Sequence, residues 1–408
     1  MSIYDKASLI QIPSGYKAGE LYSVIPNSGA GDFTYTRNGT ATRVNSQGLI
    51  ETVNANVPRL DYPFIDGVVQ DCPRLLLEPQ RTNYAPYSEN FSSWFDAGVT
   101  ITPNAIISPK GTLNASKLVS TANNWRKSSF FTASSGVTYT VSIYAKLDTS
   151  TSTTTTRLEV YNGAGSLAAN YNLSNETISN SGFTSVFIER LKDDWYRIGG
   201  TYTAGGINNI LYIYPSAAYG TAGTMYFWGA QQEAGTYASS YISTNGSSVT
   251  RTNDLISNSY TGLTSASGTI FIDLDTKGFD SNYYKIIALR DTVTGDSIQF
   301  NPFQSGNAFI LGIFGLNGAN VLPPSPNEAT LPINNRTKIA FTFSGSNFKF
   351  IQDGGSVITG TYTGTPRQYN QVGGAGITGG IMHNCMIHQF MIFNEVLSDS
   401  ELQTLTTL

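Results

Sequence analysis

The sequence predicts an all-β protein: an irregular N-terminal segment followed by two antiparallel β-sandwiches. Three observations carry this. Apolar and polar residues alternate at period two over many short runs, the pattern of strands with one buried face. Gly-, Asn- and Ser-rich punctuation separates these runs, as it does between strands of antiparallel sandwiches. Apolar heptads are missing, which excludes a long coiled coil, and a single capping box marks a single short helix.

Residues 1–88 come first and are punctuated by Pro58, Pro63, Pro73, Pro79 and Pro86. Each proline fixes φ, removes a backbone donor and biases its predecessor toward extended geometry. Leu75, Leu76 and Leu77 therefore lie on an extended ribbon, flanked by Arg59, Arg74 and Arg81. With little local sequence to cover the leucines, this segment is expected to order mainly against partner chains. Residues 89–245 form the first predicted sandwich. In Thr138-Tyr-Thr-Val-Ser-Ile-Tyr-Ala-Lys146, Tyr139, Val141, Ile143 and Ala145 share one face, and similar runs occur at Trp195–Tyr202, Ile210–Tyr214 and Met225–Ala230. Residues 246–264, rich in Ser, Thr, Asn and Gly, are expected to be a linker. Residues 265–408 form the second predicted sandwich, with runs at Ile270–Leu274, Lys338–Phe343 and Phe348–Ile351 and a hairpin turn at Asp353-Gly-Gly355. Ser398-Asp-Ser-Glu401, followed by Leu402 and Leu405, predicts the C-terminal helix.

Charged residues are 13% of the 408, about half the usual share. With 24 basic and 28 acidic residues and no run of like charge, the chain lacks the footprint of a nucleic-acid or anionic-membrane binder. No apolar run approaches the roughly 18 residues of a membrane span. Met1-Ser-Ile-Tyr-Asp-Lys6 has neither the basic nor the apolar region of a secretory signal. A weakly charged, extracellular-looking surface without an export signal fits a particle assembled in a cytoplasm and released by lysis. Cys72 and Cys385 are expected to be two reduced, packed thiols.

Asp71-Cys-Pro-Arg-Leu-Leu-Leu-Glu-Pro-Gln-Arg-Thr-Asn83, with Val57-Pro-Arg-Leu-Asp-Tyr-Pro63 before it, resembles a linker of fibre, spike and tail proteins of tailed bacteriophages, as in phages of gut Bacteroidetes. Tyr4-Asp-Lys-Ala-Ser-Leu-Ile10, Pro13-Ser-Gly-Tyr-Lys-Ala-Gly19 and Gly31-Asp-Phe-Thr-Tyr-Thr-Arg37 extend the resemblance over residues 1–95. Trp228–Ile242 resembles the exit of a jelly-roll carbohydrate-binding module, and Ile387–Leu402 the close of a concanavalin A-like (laminin-G-like) domain. The resemblance implies a virion protein, a head or tail fibre or spike. Its N-terminal segment would touch other virion proteins and hold a homotrimer together through Leu75, Leu76, Leu77 and Arg81. Its sandwiches would bind glycans.

The enzymatic alternative is a tail depolymerase cleaving surface polysaccharide, which needs a pair of carboxylates. Asp273 and Asp275 share a strand face, but the glucanase pattern of this fold continues to a glutamate where Lys277 and Gly278 stand. No enzyme activity is therefore expected. His383 and His388, five apart on one strand, point to opposite faces and are expected to be structural. Gly374-Ala-Gly-Ile-Thr-Gly379 is followed by a strand pattern, so it is expected to be a turn rather than a dinucleotide site. No cofactor or metal is expected. For sugar stacking, Trp195 and Trp228 lie within strand patterns and are expected in the core. Trp125, set among polar residues, is the first glycan-binding candidate, and Tyr283 and Tyr284 complete the set.

Overall fold

The computed structural model describes residues 2–408 apart from 122–124, 128–130, 218–220, 260–266, 279–283, 294–296, 306–307, 315–328, 331–334, 362–368, 375–380 and 383. The described chain is nearly all β, built from antiparallel sheets packed as sandwiches. The predicted helix is present as Asp399–Thr406. The Ser398 hydroxyl accepts from the Glu401 N–H, and the Glu401 carboxylate accepts from the Ser398 N–H. Leu402 and Leu405 bury its inner face in a core shared with Ala340 and Ile351, on the strands the helix packs against. None of the described helices is long and apolar enough to cross a membrane.

The first sandwich pairs a six-stranded and a seven-stranded sheet among the described residues. The six-stranded sheet runs Thr100–Ile107, Leu113–Ser120, Gly223–Ala234, Thr138–Leu147, Tyr196–Thr203, Ser185–Arg190. The other is centred on Asn208–Tyr214 and Thr155–Tyr161, flanked by Trp125–Lys127 and Ser166–Asn172. The alternation of each strand sends Val141, Ile143, Leu158, Val160, Leu211 and Ile213 into one shared core.

The second sandwich departs from expectation, because much of it is N-terminal. Among the described residues its eight-stranded sheet takes in Ala7–Gln11, Leu60–Asp61 and Arg74–Leu77, and its nine-stranded sheet takes in Tyr16–Lys17, Glu20–Leu21 and Phe33–Thr36. The C-terminal strand Cys385–Phe393 is the meeting place. It pairs with Ser267–Thr276 on one side and with both Ala7–Gln11 and Arg74–Leu77 on the other. Residues 1–88 are thus not an appendage that waits for partner chains. Leu75 and Leu77 are 1% and 0% exposed, in the core with Ile272, Phe341 and Ile387. Leu76, on the opposite face of the ribbon, is 6% exposed. Each leucine so buried contributes about 1.5–3 kcal/mol, and it gains this from its own chain. The virion and oligomer contact assigned to Leu75, Leu76, Leu77 and Arg81 loses its physical premise, since these side chains are already covered.

The expected linker at 246–264 is also structured where described. Val249–Arg251 pairs with Arg81–Asn83, and Leu255–Asn258 pairs with Phe33–Thr36 and Gln371–Gly373, with Ile256 in the core. Its polar composition hides the fact that its partners, two N-terminal strands and one C-terminal strand, are far away in sequence. At the predicted hairpin, Asp353 and Gly354 take positive φ (50° and 68°), which Asp and Gly tolerate.

Both thiols are free. Cys385 is packed as expected, but Cys72 is exposed, because it sits in the bend that leads into the ribbon.

Candidate functional site

On the outer face of the seven-stranded sheet, the strand Thr155–Tyr161 buries Thr156, Leu158 and Val160 and presents Arg157, Glu159 and Tyr161. The neighbouring strand sets Tyr214 opposite Arg157, Tyr212 opposite Glu159 and Ile210 opposite Tyr161, and on the other side Asn170 faces Arg157. Directly paired residues share a face, so three tyrosines, an arginine, a glutamate and an asparagine form one patch. It is internally braced. The Arg157 guanidinium lies 5.8 Å from the Tyr214 ring centroid and binds the Glu159 carboxylate (Nε–Oε2 3.1 Å). Burial, then Glu159, push the Tyr214 hydroxyl well above its ordinary value, so it stays a neutral donor. Asn170 is 7% exposed and its Oδ1 has no hydrogen-bond partner. A buried acceptor left unmade costs about 1–3 kcal/mol.

Of the residues nominated for sugar stacking, Trp125 begins Trp125–Lys127, which pairs with the patch strand Asn208–Tyr214, Arg126 opposite Ile213 and Lys127 opposite Tyr212. Its side chain lies outside the described part. Tyr284 is on a short strand paired with Ile381–Met382, remote in sheet order from the patch, and its side chain is likewise not described. Tyr283, His383 and most of Gly374–Gly379 lie outside the described residues. Trp195 and Trp228 are buried, as expected, but outside the main sandwich core. They lie with Tyr144, Tyr241 and Ile50 beneath the N-terminal hairpin of Ala41–Val44 and Ile50–Val53. Sequence reading passed over Tyr161, Tyr212, Tyr214 and Asn170. Their alternation was visible, but the register that unites three strands was not.

Asp273 and Asp275, the pair a depolymerase would need, are both engaged. Arg336 grips Asp273 bidentately, at 2.7 and 2.6 Å. Asp275 accepts from Arg74 and lies 2.9 Å from His388 Nε2. Burial raises the Asp275 carboxyl, but His388 and Arg74 outweigh it and hold it below the usual carboxylate range. A general acid needs the opposite shift. Among the described residues no group of three or more His, Cys, Asp or Glu side chains could hold a metal ion.

The ribbon arginines do not reach toward a partner. Arg59 and Arg251 bind Glu78 (2.6 and 3.3 Å), Arg59 and Arg37 bind Asp254, and the Ser240 hydroxyl donates to Glu78 at 2.6 Å, all in the interior. Arg81 lies 3.7 Å from Glu233 and 4.9 Å from the Tyr237 ring centroid. This cluster ties the N-terminal ribbon to the exit of the first sandwich and the entry of the second.

No family model matches the chain, and no curated protein matches it. Several solved structures are similar in part. Domain 4 of a GH43 extracellular arabinanase from Geobacillus stearothermophilus, in complex with arabinotriose, aligns over 38% of this chain and 73% of that one at 15% identity, TM-score 0.30. The CBM40 of the Ruminococcus gnavus IT-sialidase bound to α2,3-sialyllactose aligns over 34% and 82% at 17% identity, TM-score 0.25. A mutant Trypanosoma rangeli sialidase aligns over 91% and 76% at 8% identity, TM-score 0.27. Likeness of this order assigns no function.

Proposed function

We propose that the chain is a carbohydrate-binding structural protein of a phage virion, a fibre or spike whose first sandwich holds glycan on the tyrosine patch. The observation that carries the binding reading is the patch itself. Tyr161 and Tyr212 offer apolar ring surface with a polar tip, and Asn170 lies on the same face, opposite Arg157. Such a surface suits a sugar, which has apolar C–H faces and hydroxyl rims. Virion attachment is supported by the resemblance over residues 1–95 alone.

The reading assigns no hydrolysis, because Asp273 and Asp275 are each committed to cations. Incubation with host surface polysaccharide tests it. Retention of the polysaccharide on immobilised protein with unchanged chain length is expected. Chain shortening that disappears in Asp275→Asn would establish the depolymerase instead.

A further inference from the structure

A groove of about 690 Å³ lies on the outer face of the six-stranded sheet, beside the N-terminal hairpin. Its walls are apolar: Leu49, Ile106, Leu147 and Leu191, with Trp195 buried beneath them. One lip is the end of the hairpin made by Thr100–Ile107 and Leu113–Ser120. There Ile107 and Leu113 are directly paired, share a face and are 60% and 61% exposed. The lip is held in place. Trp195 Nε1 donates to the Ile107 carbonyl at 3.2 Å, and the Ile50 N–H donates to the Pro109 carbonyl at 2.9 Å. Both signs of charge stand at the rim. Among the described residues the Lys146 and Lys192 ammoniums donate only to the backbone carbonyls of Asp193 and Gln47, at 2.5 and 3.2 Å, and the exposed Asp193 carboxylate has no cation partner.

Single exposed apolar side chains are ordinary on a protein surface, but an opposed pair beside an apolar groove marks a contact site. A sugar is a poor occupant. Tyr226 is the only half-exposed aromatic among the described lining residues, and the Lys117 ammonium lies 5.8 Å from its ring centroid. Strand addition is blocked too, because Pro103 and the bulge at Asn104 (φ 53°) interrupt the outer edge strand. A second copy of the chain fits both halves of the surface, since it brings the same lip for the groove and the same groove for the lip. It also brings a lysine for each unpaired Asp193. We propose that copies of this chain associate here, with Ile107 and Leu113 of one seated in the groove of the next and Asp193 facing the partner's Lys192. The lip is already fixed, so little ordering opposes the contact. The proposal rests on neither the glycan nor the virion reading. It gives association a surface in place of Leu75, Leu76 and Leu77, which are buried in their own chain.

The test is sedimentation equilibrium of the full chain over a dilution series reaching tens of micromolar. Wild type and Leu113→Met should both weigh more than one 44.0 kDa chain. Leu113→Asp should associate about tenfold or more weakly. Its far-ultraviolet circular dichroism should match wild type, because Leu113 belongs to none of the buried clusters. Asp193→Asn keeps the size of the side chain and removes only its charge. It should weaken association about tenfold at low salt and not at all near 1 M salt, where the screening length falls to about 3 Å. A wild-type monomer at tens of micromolar would overturn the proposal and leave the groove to a different partner. An oligomer that survives Leu113→Asp, or an Asp193→Asn variant that associates like wild type at low salt, would overturn it while leaving the fibre reading untouched. If Leu113→Asp misfolds, the salt series on Asp193→Asn still decides.

Discussion

Glu78 is 2% exposed and still ionised. Burial alone would raise its pKa, but Arg251 and Arg59 outweigh that and, with Ser240, hold it far below its ordinary 4.5. A depressed folded pKa adds stability that is present above 4.5 and lost as pH falls toward the folded value. Urea unfolding should therefore show wild type losing stability progressively as pH falls below about 5, with Glu78→Gln less pH-sensitive over that range. At neutral pH Glu78→Gln should cost about 3–5 kcal/mol, because it leaves Arg59 and Arg251 short of a counter-charge. Equal pH slopes in the two proteins would contradict this account. The individual residues of the cluster were conspicuous in the sequence, as arginines spaced through a proline-rich ribbon. Their partners were not, since Asp254 lies 195 positions from Arg59.

At the scale of elements, the sandwich strands and the capped helix were legible because their signals are local: period-two alternation and a Ser-x-x-Glu box. The ribbon was misread because its decisive contacts are remote. Leu75 pairs with Ile387 and Leu77 with Cys385, and no local pattern announces such pairing. The same gap hid the tyrosine patch, where the alternation of each strand was plain but the register between strands was not. The reassigned ribbon has a consequence. A chain of residues 89–408 would leave one edge of Cys385–Phe393 unpaired, and such edges promote aggregation. Expressed alone it should aggregate or lose its cooperative melt, and co-expressed 1–88 should restore a soluble complex. Leu76→Asp in the full chain should lower the melting temperature rather than merely split an oligomer. A soluble, cooperatively melting 89–408 would show that the N-terminal strands are dispensable.

At the scale of the whole molecule, residues 1–88 connect the parts. They complete both sheets of the second sandwich and, through the Ala41–Val44 hairpin and the Glu78 cluster, cover one face of the first. What is left for a partner is the outer surface, including the tyrosine patch. Fibre proteins gain from repeating weak sites, because linked sites add avidity without new contacts. Light scattering is expected to give three times the 44.0 kDa chain mass, and a monomer would count against the fibre reading. The most direct test of the central claim, glycan binding on the outer face of the first sandwich, is a glycan-array screen of wild type followed by titration of its best neutral ligand into Tyr212→Ala. The account predicts saturable binding to wild type and a loss of about tenfold or more in Tyr212→Ala at unchanged melting temperature. Wild-type affinity retained by Tyr212→Ala, or an array on which no glycan binds, would contradict it.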